Sequence, residues 1–285
     1  MSCTNKYWDL IDHLYWAPQY LGLKSIPQRH WETNGDRVSV PKAMTNPKGP
    51  LYRRLRSGED YQEYVRRQEE TFNHIFDLTF SILPGDVVGE IFDVHTGTTA
   101  RHCYDSFGRE FHSRYGWGER DNITTPDGLF LAKDAVLAVA LKFNAKTSRD
   151  QLAKYLGLLA AEESVGGKRA NLDLLYVFNS NPELTFEKQV GFKPQDICAE
   201  SFTMLLDAVH NETLTRSLIH QKDHVTDVLK RLRISCITWQ EMLDGLVAYS
   251  SALGETPGDR TMRRLIDGFV LEISNHPLSN AFSEK

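Results

Sequence analysis

Cysteine is scarce and never clustered: Cys3, Cys103, Cys198 and Cys236 lie far apart, with no C-x-x-C pair. That spacing excludes a zinc ribbon and a disulfide framework and fits a reducing, cytoplasmic compartment. Long apolar runs are missing too. None reaches the roughly 18 residues of a membrane span, so no membrane partner is expected. The opening residues, MSCTNKYWDLIDHLYW, hold no apolar core followed by a small-residue cleavage site, so no leader peptide is expected. Positive charge is not in excess. The net charge of −5 gives no global field for nucleic acid, and any such binding must use a local basic surface. The 10 histidines form no H-E-x-x-H or other paired metal spacing, and no G-x-x-x-x-G-K-[ST] loop is present, so the chain is not expected to hydrolyse ATP itself.

What remains is an ordinary globular composition, 41% hydrophobic, 25% charged and 11% aromatic, over 285 residues. That length buries a sizeable core. Residues 1–58 read as irregular around a short aromatic helix at Tyr7–Trp16. A long helix is expected over 59–83, its stripe being Tyr61, Val65, Phe72, Ile75, Phe76 and Phe80, with Pro84-Gly85 as the stop. A second helix is expected over about 99–115, with Cys103, Phe107 and Phe111 on one face. The division that follows is a helical or irregular N-terminal extension, 1–84, and a domain at 85–285 with a helix-rich C-terminal part.

Two strand-like runs, GLFLA (128–132) and AVLAVALKF (135–143), are separated by Lys133-Asp134, which is hairpin spacing. A helix over about 149–163 and an apolar strand, LDLLYVF (172–178), come next. Helices near 194–210 and 222–231, a strand at 233–238 and helices at 239–252 and 259–273 complete the chain. Strands set among helices give the α/β class.

The chemistry centres on the second strand. Alternation puts Ala138, Ala140 and Lys142 on one face and Val139, Leu141 and Phe143 on the other. A lysine in an apolar run is costly to bury without a carboxylate or phosphate partner; the bland alternative is snorkelling to solvent from the strand end. Upstream, Pro126-Asp127-Gly128 is a turn signature in which Asp127 needs no further role. Downstream, Gln151 and Tyr155 stand four apart on one helix face. Ser148 to Gln151 also reads as a capping box, and Tyr155 could be core.

Taken together, Pro126-Asp127, a strand carrying Lys142, and Q-x-x-x-Y on the next helix resemble the PD-(D/E)XK nuclease superfamily, in its RecB-like branch. The resemblance covers residues 86–180, with an echo in ISCITWQEML (234–243). It implies a restriction-endonuclease-like core: a mixed central sheet flanked by helices, with helical N- and C-terminal additions. It also implies metal-dependent hydrolysis of phosphodiester bonds, in DNA more than RNA, with a separate ATPase or further copies of the chain as partners. The family's site residues fall on Asp127, Ala140, Lys142, Gln151 and Tyr155. Mg²⁺ or Mn²⁺ would be held by Asp127, the residue at 140, the Leu141 carbonyl and a helix acid. For that acid Glu90 is the first candidate and Glu110 the second; a solvated helix face explains either. The cysteines do not match the arrangement that carries an iron–sulfur cluster in some RecB-like nucleases, so none is expected.

One position departs from the pattern. The family has Glu or Asp two residues before the lysine, and here that residue is Ala140. Two explanations stand. A Glu was replaced to disarm the enzyme, which is favoured because every other motif position is intact; or the chain is a catalytically dead, nuclease-fold subunit that binds nucleic acid or a partner protein. A third reading makes the motif a coincidence in a helical interaction protein. Basic clusters at Arg53, Arg54 and Arg56, at Lys168-Arg169, at Lys230, Arg231 and Arg233, and at Arg260, Arg263 and Arg264 are read first as solvated faces. The first of them is the candidate for a strand-gripping arm.

Overall fold

The hairpin expected between the two β-rich runs is the start of a five-stranded mixed sheet. A computed structural model describes residues 69–98, 100–107, 124, 126–143 and 145–275. The strands are β1 (Asp105–Ser106), β2 (Gly128–Leu131), β3 (Ala135–Leu141), β4 (Asn171–Phe178) and β5 (Leu232–Thr238), in that spatial order. β2 and β3 are antiparallel, with Gly128 opposite Val139 and Leu131 opposite Val136. β3, β4 and β5 run parallel, so Ala140, Tyr176 and Cys236 lie side by side across three strands.

The helices among the described residues are α1 (Glu69–Ile82), α2 (Gly85–Phe92), α3 (Arg149–Gly166), α4 (Pro182–Val190), α5 (Ser201–Asp207), α6 (Glu212–His220), α7 (Lys222–Arg231), α8 (Trp239–Ala252) and α9 (Pro257–Asn275). They cover both faces of the sheet, which is why β3 and β4 are apolar almost without interruption. On one face Val136, Ala138 and Ala140 of β3 and Leu174 and Tyr176 of β4 pack with Leu152, Leu156 and Leu159 of α3 and Val228 of α7. On the other, Leu137, Val139, Leu141 and Val177 pack with Phe76 and Phe80 of α1, Ile91 of α2, Leu246 of α8 and Phe269 of α9. None of these helices is long and apolar enough to cross a membrane.

Several expectations need correction. Residue 84 is not a domain boundary. Phe76 of α1 stacks on Phe80 at 4.4 Å and lies 6.4 Å from Phe130 and 6.2 Å from Phe269, inside the same core as the later helices. Residues 1–68, including Arg53, Arg54 and Arg56, lie outside the described residues.

The helix expected from 99 is instead an extended segment ending in β1. Its backbone is held against α2: Tyr104 N–H donates to the Gly85 carbonyl at 3.0 Å, and His102 N–H to the Asp93 carboxylate at 2.6 Å. Two glycines allow the approach, since a Cβ on Gly85 would sit 2.2 Å from the Tyr104 carbonyl oxygen and one on Gly89 1.9 Å from that of His102. Phe111 and Glu110 fall outside the described residues. The single helix expected over 194–210 is a 3-10 turn at Pro194–Asp196 followed by α5, and α4 and α6 are additional short helices.

Candidate functional site

The carboxyl ends of β3, β4 and β5 open at one edge of the sheet, where α3, α4 and α8 begin. In open α/β sheets that edge is where ligands are bound. Asp127, immediately before β2, comes to the same edge because β2 runs antiparallel. Its N–H donates to the Val139 carbonyl at 3.0 Å, which fixes it opposite the Ala140 end of β3. Its carboxylate accepts the Leu141 N–H on Oδ2 at 2.7 Å and the Asn73 side-chain amide of α1 on Oδ1. The turn residue is therefore a clasp between α1, β2 and β3.

Ala140 is fully buried in the α3-side core, beside Tyr176. Lys142 follows on the same face, since Leu141 and Phe143 both point into the opposite core. Its N–H donates to the Val177 carbonyl at 2.8 Å, so the backbone is still pinned to β4. The residue is only 6% exposed. No ion pair and no side-chain hydrogen bond joins its ammonium to any described residue. The stem is thus held in the core, and the ammonium lies at this edge without a partner among the described residues.

The loop from 143 to 148 returns the chain to α3 and is tied to the β4–α4 region. Asn179 donates to the Phe143 carbonyl at 2.7 Å, Thr147 N–H to the Gln189 side chain at 2.8 Å, and Arg149 Nε to the Val190 carbonyl at 2.6 Å. Ser148 caps α3 by accepting the Gln151 N–H at 3.1 Å. The reciprocal half of the capping box is not made: Gln151 Oε1 is buried and has no hydrogen-bond partner. Capping thus accounts for Ser148 and leaves the Gln151 side chain unexplained.

Tyr155, one turn further, is buried with its ring perpendicular to that of Tyr176 at a centroid distance of 6.2 Å. Two hydroxyls that the motif does not include belong to the same region. Thr147 Oγ1 and the Tyr176 hydroxyl are buried, and neither has a hydrogen bond of proper geometry. Burial pushes the Tyr176 phenol well above its ordinary range, with nearby Thr147 acting against that rise, so it stays a protonated donor. Cys236, next to Tyr176 on β5, offers no thiolate, because burial pushes its thiol up to about 12.

Asp127, Ala140, Lys142, Gln151 and Tyr155 thus occupy one end of the sheet and the helix that follows it. Glu90 does not join them. It stands on α2, against the opposite face of the sheet, with its side chain 50% exposed and 3.6 Å from the Arg101 guanidinium. The reason is the stripe of α2: Val87, Val88 and Ile91 are buried, which turns residue 90 outward. Asn73, Thr147 and Tyr176 were not legible as site residues, although a tyrosine inside LDLLYVF, level with Ala140, was the one available signal.

The donor set does not fit Mg²⁺ or Mn²⁺. Asp127 already accepts two hydrogen bonds, Ala140 supplies no oxygen, and Glu90 is elsewhere; the other acids at this edge, Glu183 of α4 and Glu241 of α8, lie beside Cys236 on β5. Among the described residues no group of three His, Cys, Asp or Glu side chains converges to hold a metal. Leu141 could contribute only its carbonyl.

Several members of the basic clusters in the described region are paired with acids. Arg231 holds Glu163 through two contacts of 2.7 and 2.6 Å, Arg233 holds the buried Asp173 at 2.7 and 2.8 Å, Lys168 meets Asp227 at 2.8 Å, and Arg263 meets Glu255 at 3.4 Å. They brace the sheet and helices. No family model, curated protein or solved structure matches the chain.

Proposed function

We propose that this chain is a PD-(D/E)XK-type nuclease protein directed at phosphodiesters, DNA before RNA, whose cleaving site is incomplete at position 140. One observation carries the reading: Lys142 is 6% exposed at the ligand-binding edge of an α/β sheet with no anionic partner among the described residues, two residues after the alanine that stands opposite Asp127. A lysine at the end of an apolar strand is well placed to meet a counter-charge supplied from outside. The mixed sheet with helices on both faces agrees with a restriction-endonuclease-like core.

In this reading Lys142 binds and polarises the phosphate, Asp127 fixes the β2–β3 edge, Gln151 orients the strand, and Tyr155 positions Tyr176. As the chain stands, it binds and does not cut. The reading is tested by incubating plasmid, linear duplex, single-stranded DNA and RNA with Mg²⁺ or Mn²⁺. The chain, Ala140→Glu and Ala140→Glu/Lys142→Ala are compared side by side. Cutting by Ala140→Glu alone is expected, and it identifies the substrate directly. Failure of every form on every substrate removes the nuclease reading.

A further inference from the structure

Resting on that reading, the mismatch between this donor set and a divalent cation has a consequence of its own. Where a second carboxylate stands two residues before the lysine, the ammonium has a protein counterion and the pair can share a cation with a phosphate. Here Ala140 offers a methyl group inside a packed core, so Lys142 faces an apolar wall on that side. The nearest acid of the motif, Asp127, has both oxygens engaged by Asn73 and the Leu141 N–H. A dication placed beside Asp127 would meet an unscreened ammonium. A phosphodiester placed there would meet the positive charge it lacks.

The neighbouring groups favour an anion as well. The hydroxyls of Thr147 and Tyr176 are buried beside one another without a well-formed hydrogen bond, and both can donate. Next to Thr147 in sequence, a cavity of about 430 Å³ opens at the first turn of α3, lined by residues that include Ser148, Arg149, Lys188, Gln189 and His210. Asp150, the acid in that lining, is bound to Lys154 at 2.7 Å and to the His210 N–H at 3.1 Å. Arg149 sits in the first turn, the positive end of the helix dipole, where a cation is unfavourable unless an anion is drawn in.

We propose that the site of this chain binds a nucleic-acid backbone without a divalent cation, the Lys142 ammonium taking the place of the metal as counter-charge and Thr147 and Tyr176 donating to the phosphate oxygens. The proposal makes magnesium irrelevant to binding by this chain and essential to binding once position 140 is acidic, because Ala140→Glu would give Lys142 an internal partner that competes with the phosphate.

The test is fluorescence anisotropy of labelled single-stranded and duplex DNA and of RNA oligonucleotides, in EDTA and in MgCl2 at matched ionic strength. The chain is compared with Lys142→Met, Lys188→Gln and Ala140→Glu, with thermal unfolding to verify that each is folded. Affinity is expected to agree within about twofold in the two buffers. Lys142→Met should weaken it about tenfold or more, the loss of one charged hydrogen bond. Lys188→Gln should weaken it by a smaller factor and flatten the salt dependence. Ala140→Glu should bind weakly in EDTA and recover in MgCl2.

Binding by the unaltered chain that requires MgCl2 overturns the proposal and leaves the nucleic-acid reading standing. Undiminished affinity in folded Lys142→Met overturns the assignment of that lysine. Absence of binding to every oligonucleotide in both buffers by folded protein overturns the reading and the proposal together.

Discussion

The Leu141 N–H donates to the carboxylate of Asp127 at 2.7 Å, across the open end of the β2–β3 hairpin. An acid that the motif assigns to chemistry is therefore also a fastener. The same carboxylate receives the Asn73 amide, whose own Oδ1 is buried without a partner. Replacing Asp127 by Ala strands two donors and should cost about 2 kcal/mol. Asp127→Asn should cost less than about 1 kcal/mol, because its carbonyl can accept from Leu141 while its amide donates to a flipped Asn73. Urea unfolding of the two variants measures the difference. Equal costs would mean that the clasp contributes nothing.

Gly89 in the middle of α2 inverts the ordinary helix rule. In an exposed helix Gly→Ala gains up to about 1 kcal/mol. Here the added methyl would lie 1.9 Å from the His102 carbonyl oxygen, which is backbone and cannot rotate away. Gly89→Ala should therefore destabilise by about 2–3 kcal/mol, at the upper end of overpacking costs, and thermal unfolding should show a lower Tm. A neutral or stabilising outcome would place the 102–104 segment elsewhere.

Acid should unfold the protein in part through Glu163. Burial works to raise its carboxyl, but the paired hydrogen bonds from Arg231 outweigh that and hold it below the usual carboxylate range. A lowered folded pKa means the unfolded chain takes up the proton first. The contribution is thus full above the ordinary range near 4 and is lost as pH falls through that range and the lower folded value. Asp173 acts in the opposite sense: burial outweighs Arg233 and raises it, so its contribution is present at low pH and fades as pH rises through the raised value. Urea midpoints from pH 3 to 7 should fall steeply on the acid side, and Arg231→Gln should flatten that limb. An unchanged limb in the variant would assign acid sensitivity to other groups.

Much of the sheet was readable because its signals are local. AVLAVALKF alternates Lys142 against Leu141 and Phe143, Pro126-Asp127-Gly128 marks the entry to β2, and Ser148 announces α3. What escaped depends on contacts distant in sequence. The 102–104 segment has helical periodicity in Cys103 and Phe107, yet two glycines and the Asp93 carboxylate pull it extended. Asn73 reaches Asp127 from 54 residues away, and nothing in its neighbours announces that. Glu90 looked buried because its neighbours are apolar, but the same apolar neighbours claim the core side of α2 and turn it outward. The Lys and Arg clusters read as solvated because their acidic partners, Glu163, Asp173 and Asp227, come from other elements.

The central claim is that Lys142 is held for an anion and not for the fold, and thermal unfolding of Lys142→Met beside the unaltered chain tests it most directly. Methionine matches the length of the stem and removes a charge that has no partner among the described residues, so the variant should be at least as stable as the unaltered chain, with an equal or higher Tm. A lower Tm would contradict the account, because it would mean that the ammonium already has its counter-charge within the protein.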